Sequence, residues 1–173
     1  MKAPAIVLAA VIAGPALALQ PGACAFVIED PAPGERPGPD GLSSWYRKET
    51  ARPEDLGGGW VAQGNRIASE SGTQVNTVVT HCPSGVNVLV VEQALTPSGA
   101  LRMNAGLRAV PVFREALAAS EAVTLDAIQR RLEAGGANVG RNIDPVDFEA
   151  CACAAFYPDQ RGAKTPWATW GQR

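Results

Sequence analysis

The number and position of the cysteines constrain this chain more than any other feature of its sequence. Four cysteines occur, and all of them follow the first 20 residues: Cys24, Cys82, Cys151 and Cys153. An even number of cysteines in an exported protein is typical of paired disulfides, which an oxidising compartment preserves. Two disulfides are therefore expected, and four cysteines allow three ways of pairing them.

The last two cysteines lie in a predicted helix. Asp144 followed by Pro145 is typical of a helix start, and Pro158 predicts its end. Two residues along a helix correspond to about 200° of rotation, so Cys151 and Cys153 point to opposite sides. Each is expected to bond a distant partner, one Cys24 and the other Cys82, and the sequence leaves open which takes which.

A different hypothesis treats Cys151 and Cys153 as a thiol or metal site, completed by Cys82 and by His81 or Met103. Thiolates suit soft metals and dithiol redox chemistry. Two side chains on opposite sides of a helix do not chelate one ion, and the C-x-x-C spacing of thioredoxin-like proteins is absent. Structural disulfides are therefore the preferred interpretation.

The first 18 residues have the layout of a bacterial-type signal peptide. A lysine at position 2 precedes an apolar run at 5–13, a Gly-Pro break and the small residues Ala16 and Ala18. We expect cleavage near Ala18, a periplasmic or secreted location, and a single globular domain over 19–173. The apolar run is too short to span a bilayer, which needs roughly 20 residues. Lipidation at Cys24 is an alternative. It is weakened by Pro21, because a lipoprotein signal is expected to have an aliphatic residue three positions before the lipidated cysteine.

Charge excludes some classes of partner. The predicted mature chain has 14 basic and 17 acidic residues and contains no run of Lys or Arg. Nucleic acid and anionic membrane surfaces are therefore not expected as partners.

The segment 31–41 holds four prolines and three glycines, which predicts an extended surface segment.

The middle of the chain predicts strands, and the part after residue 110 predicts helices. Val- and Thr-rich runs around a Pro-Ser-Gly turn indicate a hairpin of 73–81 with 86–93, and shorter strands are expected at 23–28 and from Trp60. Helical spacing predicts helices at 111–119 and 125–134, with Thr124 as the N-cap of the second. The expected fold is α+β: a small antiparallel sheet of three or four strands packed against two or three C-terminal helices and stapled by two disulfides.

Recognisable catalytic sets are missing from the sequence. His81 is the only histidine, no G-x-S-x-G motif marks a serine nucleophile, and the glycine-rich stretches at 57–59 and 135–140 are interpreted as turns. The leading hypothesis is an exported, non-enzymatic binding or accessory module without a cofactor. Its partner is expected to be a protein or a cell-envelope component, and its candidate contact residues are Trp60, Trp167 and Trp170.

A small envelope hydrolase that uses carboxylates is the runner-up. Asp144, Asp147 and Glu149 are explained by their place at a helix start, where negative charge is favoured. Glu92, at the end of an apolar strand, is the most suggestive single acid, because burial disfavours a charged carboxylate.

Overall fold

The computed structural model describes residues 20–30, 46–119, 124–141 and 147–157. These residues form a short 3-10 turn at Pro21–Cys24, eight strands and three helices. The strands are β1 (Phe26–Asp30), β2 (Tyr46–Thr50), β3 (Glu54–Gly57), β4 (Trp60–Ser69), β5 (Gly72–His81), β6 (Val86–Leu95), β7 (Leu101–Asn104) and β8 (Asn138–Arg141). The helices are α1 (Ala109–Ala118), α2 (Leu125–Ala134) and α3 (Asp147–Phe156).

All eight strands belong to one antiparallel sheet. Its centre is the meander β4–β5–β6, in which each strand is ten residues long. The outer edge of β4 is shared by β3 and β2, and β1 pairs with β2. The outer edge of β6 is likewise shared by β8 and β7. The end of the sheet that holds the β5–β6 turn therefore also holds the turn between β3 and β4.

The predicted sheet of three or four strands is wrong. The expected hairpin is present as β5 and β6, and β1 and β4 occupy the other two predicted places, but four further strands complete an eight-stranded sheet. The additional strands β2, β3, β7 and β8 are four or five residues long and rich in charged, polar or glycine residues. Such segments lack the alternation of apolar and polar residues that predicts a strand, so it is pairing with neighbouring strands that places them in the sheet. The interpretation of 135–140 as a turn is wrong for its last three residues, which lie in β8.

Helices α1 and α2 cover one face of the sheet. Their buried side chains, Val112, Phe113, Ile128 and Leu132, pack against valines of the central strands in one apolar core. The bounds of both helices differ from the predicted ones by two residues at most. The Thr124 hydroxyl accepts a hydrogen bond from the Ala127 N–H, so Thr124 is the N-cap of α2 as predicted. This core carries most of the apolar burial of the described chain, and it fixes the positions of β5 and β6.

Helix α3 covers the opposite face and is held there by both predicted disulfides. Cys24 bonds Cys151 and Cys82 bonds Cys153, which closes sequence separations of 127 and 71 residues. The two neighbouring cysteines of α3 thus bond distant partners on different elements. Beneath the helix, Ala152 packs against Val61 of β4. The disulfides attach α3 to the 3-10 turn and to the end of β5.

Several predictions concern residues that lie outside the described ones. These are the signal peptide at 1–18, the proline-rich segment at 31–41, the helix start at Asp144, and both C-terminal tryptophans, Trp167 and Trp170. In the described part of the chain, no helix has the length and apolar character needed to cross a membrane.

Candidate functional site

A turn of three consecutive glycines connects β3 to β4 at one end of the sheet. Gly57, Gly58 and Gly59 have φ angles of 87°, 59° and 85°, which side chains with a Cβ rarely adopt. A Cβ at Gly59 would also come within 2.8 Å of the Pro83 ring. The GGG sequence is therefore required by the backbone of this turn, and Gly58 at its tip is exposed.

His81 contacts the turn from the face that α1 and α2 cover. Its Nδ1 lies 2.7 Å from the Ser84 Oγ, and its ring centroid lies 4.8 Å from that of Trp60. Desolvation by burial lowers the pKa of His81, and a hydrogen bond to the Gly58 backbone acts in the opposite direction and more weakly. The neutral imidazole is therefore the favoured form at pH 7, and its Nδ1 shares a hydrogen bond with the Ser84 hydroxyl.

Tyr157 contacts the turn from the other face, just after the end of α3. Its hydroxyl donates to the Asp55 Oδ1 at 2.7 Å and accepts from the Gly59 N–H at 3.1 Å. The same Asp55 oxygen accepts from the Gly57 N–H at 2.9 Å. Burial, followed by the hydrogen bond to Asp55, raises the pKa of Tyr157. Asp55 and Tyr157 thus hold both ends of the glycine turn.

The Cys82–Cys153 disulfide connects the two sides of this arrangement. Cys82 follows His81 directly and donates its N–H to the Gly59 carbonyl at 2.8 Å. Cys153 lies one helical turn before Tyr157 and accepts the Tyr157 N–H at 2.7 Å. The bond therefore fixes the distance between the β5–β6 turn and the end of α3. We call these residues the glycine-turn site: Asp55, Gly57, Gly58, Gly59, His81, Ser84 and Tyr157.

An apolar surface adjoins the site on the α1 side. The Leu117 side chain lies 3.9 Å from the position that a Cβ on Gly58 would occupy, and 37% of Leu117 is exposed. Trp60 is half-buried, and its ring packs on Phe113 at a centroid distance of 5.4 Å as well as on His81. Trp60 is therefore the one predicted contact residue that the described structure brings to this site, and it is anchored in the core on one side.

Glu92 has a structural role in α1 rather than a place in the glycine-turn site. It is the extra residue of a bulge in β6 opposite Val75 and Asn76, and only 7% of it is exposed. Its Oε1 accepts the Ala109 N–H at 2.7 Å, and its Oε2 lies 3.7 Å from Arg108 Nη1. The carboxylate thus satisfies the first turn of α1, where the helix dipole favours negative charge.

This role predicts the effect of substitutions at Glu92. Changing Glu92→Ala leaves the buried Ala109 N–H without its acceptor and should lower the free energy of unfolding by about 1–3 kcal/mol. Glu92→Gln keeps an acceptor oxygen and should cost less than Glu92→Ala. Glu133→Ala, at an exposed site on α2, serves as the control and should change stability by less than about 0.5 kcal/mol. Urea denaturation measures all three, and equal losses for Ala and Gln would contradict the capping role.

The other predicted chemical residues do not form a second site in the described structure. All four cysteines are in disulfides, so none offers a thiolate for a metal or for redox exchange. Among the described residues, no three His, Cys, Asp or Glu side chains come together as metal ligands. Asp147 and Glu149 lie on α3, with side chains outside the described set, and Asp144 lies outside it altogether.

Sequence reasoning missed Asp55, Ser84 and Tyr157 as members of a site. Tyr157 and Asp55 are 102 residues apart, and Ser84 was interpreted only as part of a turn. The sequence features that pointed here were the GGG triplet and the single histidine. Neither reveals its partner, because the contacts depend on the strand pairing that places His81 opposite Trp60.

The two shifted pKa values predict how stability depends on pH at the glycine-turn site. The folded pKa of His81 lies below 6.5, so the unfolded chain binds more protons between that value and 6.5, and stability should fall as the pH decreases through this window. The folded pKa of Tyr157 lies above 10, so stability should fall as the pH rises beyond 10. NMR titration of the His81 ring and ultraviolet titration of the tyrosines measure the midpoints. A His81 midpoint at or above 6.5 would contradict the described packing.

Comparison of the chain with models of protein families, with curated proteins and with solved structures gave no significant match. Function is therefore inferred from the chemistry of the chain's own residues.

Proposed function

We propose that this protein is an exported, disulfide-stabilised module of the periplasm, cell envelope or extracellular medium that binds a partner protein through the surface around the glycine turn. The observation that carries the proposal is the exposed tip at Gly58, held from one face by His81 and from the other by Tyr157. A loop that is already fixed in one conformation loses little entropy on binding.

The composition of the surface favours a protein partner. Leu117 and Trp60 offer apolar contact area on one face of the turn, and the exposed Asp55, bonded to Tyr157, offers a carboxylate on the other. Tryptophan is among the residues that commonly dominate binding energies between proteins. A half-buried Trp60 has few rotamers left to lose, so its contact area is available at small entropic cost.

The location is supported by the cysteine chemistry. Two intramolecular disulfides persist in an oxidising compartment, and reducing cytosol disfavours them. The N-terminal 18 residues have the composition of a secretory signal, which directs a chain to such a compartment. These two features are independent, because none of the cysteines belongs to the predicted signal.

A pair of exposed leucines provides a matched test. The full chain is expressed with a C-terminal affinity tag in its own host, cross-linked in intact cells and purified, and the retained proteins are quantified by mass spectrometry. Leu117→Glu should reduce the retained partner at least tenfold, because it places a charge on the apolar part of the surface. Leu101→Glu changes a residue of β7, at the opposite end of β6, that is 59% exposed, and it should leave retention unchanged.

Both variants should keep the melting temperature of the wild type, since each leucine is exposed. Equal retention by wild type and Leu117→Glu would place the partner surface elsewhere. Loss of retention in both variants would show that added negative charge, not the glycine-turn surface, controls binding.

A further inference from the structure

Ser84 and His81 form a hydroxyl–imidazole pair whose geometry suits a nucleophile and its general base. The Ser84 Oγ lies 2.7 Å from His81 Nδ1, which is within the range of a nucleophile bonded to its general base. The pair is formed by residues three positions apart in the β5–β6 turn, and both side chains are half-buried, so they remain accessible from solvent.

A serine–histidine pair of this kind also needs a group that holds the imidazole in position. The other ring nitrogen, Nε2, faces the glycine turn and lies 3.2 Å from the position that a Cβ on Gly59 would occupy. A neutral imidazole with its proton on Nε2 leaves Nδ1 to accept from the Ser84 hydroxyl, and this is the tautomer that the base requires. The Trp60 ring, tilted by 37° to the imidazole, limits its rotation. The imidazole is thus held with Nδ1 toward Ser84, the position that a base for this hydroxyl needs.

We propose that Ser84 is a nucleophile and His81 its general base in the hydrolysis of small carboxylic esters beside the glycine turn. The hydroxyl contacts the imidazole, and packing of the imidazole against the glycine turn and Trp60 takes the orienting place that a carboxylate has in other serine hydrolases. The Val86 N–H donates to the Ser84 Oγ at 3.4 Å, which helps to hold this oxygen in place in the turn.

The chemical steps balance with water as the only other reactant. The Ser84 Oγ forms a bond to the acyl carbon while its proton passes to His81 Nδ1. The bond between the acyl carbon and the leaving oxygen then breaks, and this oxygen takes the proton from His81 as the free alcohol. Water, deprotonated by the same nitrogen, attacks the acyl-serine, which releases the carboxylic acid and restores the Ser84 hydroxyl.

The surroundings define the substrate class. Trp60 and Leu117 lie beside the same turn, and among the described residues no Lys or Arg is bonded to His81 or Ser84. An uncharged ester with a short apolar acyl group therefore fits this surface better than an anionic ester.

The test uses the full oxidised chain with p-nitrophenyl acetate and, separately, with an alkyl fluorophosphonate whose attachment site is mapped by peptide mass spectrometry. The expected results are label on Ser84 and p-nitrophenol release that falls roughly a hundredfold or more in Ser84→Ala. Ser98→Ala is the matched control: Ser98 shares a hydrogen bond with the Thr96 hydroxyl in an exposed turn at the other end of the sheet, and its loss should not change the rate.

Absence of label on Ser84 in the wild type would overturn the proposal, and this result needs no variant to fold. An unchanged rate in Ser84→Ala with a wild-type melting temperature would overturn it as well. The outcome can be distinguished from that of the binding proposal, because label on Ser84 is read directly by mass spectrometry and partner retention is read with the Leu117→Glu variant.

Discussion

Removal of the Cys24–Cys151 disulfide, as the double variant Cys24→Ala/Cys151→Ala, is expected to lower the free energy of unfolding by about 3–5 kcal/mol. The bond closes a separation of 127 residues, so its loss returns a large amount of conformational entropy to the unfolded chain. Cys24 is fully buried, and alanine replaces it without leaving an unpaired thiol. Denaturant unfolding followed by circular dichroism measures the change.

The second disulfide provides the comparison. Cys82→Ala/Cys153→Ala opens a separation of 71 residues and should cost nearly as much, because loop entropy depends on the logarithm of length. Only this second variant should also return the pKa of Tyr157 toward 10, since Cys153 anchors the end of α3 that carries the tyrosine. A loss below about 1 kcal/mol in both variants would show that the disulfides do not hold α3 on the sheet.

Phe113→Ala is the second change with a large expected effect, a loss of about 3–5 kcal/mol in the free energy of unfolding. Phe113 lies on α1, is fully buried, and contacts Trp60 at a ring-centroid distance of 5.4 Å. Alanine removes the ring from the core between α1 and the sheet, and the rigid β4–β5–β6 meander limits how far the cavity collapses. Urea denaturation of the variant gives the value.

The same substitution tests the link between the core and the glycine-turn site. Trp60 rests on Phe113 and supports His81, so Phe113→Ala should broaden the His81 NMR resonances or shift its titration midpoint. Leu117→Ala removes an exposed side chain from the same helix and should cost less than about 1 kcal/mol. Similar losses for the two variants would contradict the assignment of Phe113 to the core.

The parts of the fold that local chemistry determines were predictable from sequence. The β5–β6 hairpin follows from two apolar runs around a proline-glycine turn, and α2 follows from a Thr cap and helical spacing. The expectation that Cys151 and Cys153 bond distant partners follows from helix geometry alone. In each case neighbouring residues along the chain carry the information.

The rest depends on contacts between distant segments. Strand β2 (Tyr46–Thr50) has the sequence YRKET and becomes a strand because β1 and β4 pair with its two edges. The candidate site is formed in the same way: Tyr157 reaches Gly59 only because the Cys82–Cys153 bond and the β3–β4 turn bring them together. No local pattern around Tyr157 or Asp55 encodes that juxtaposition.

Our main expectation is an exported chain that two disulfides hold in the form that presents the glycine turn. Its most direct test is the intact mass of protein from the native host, measured after alkylation of free thiols, with and without prior reduction. We expect the mass of residues 19–173, with no alkylation before reduction and four alkylated cysteines after it. A chain that retains Met1, or that is alkylated before reduction, would contradict the claim.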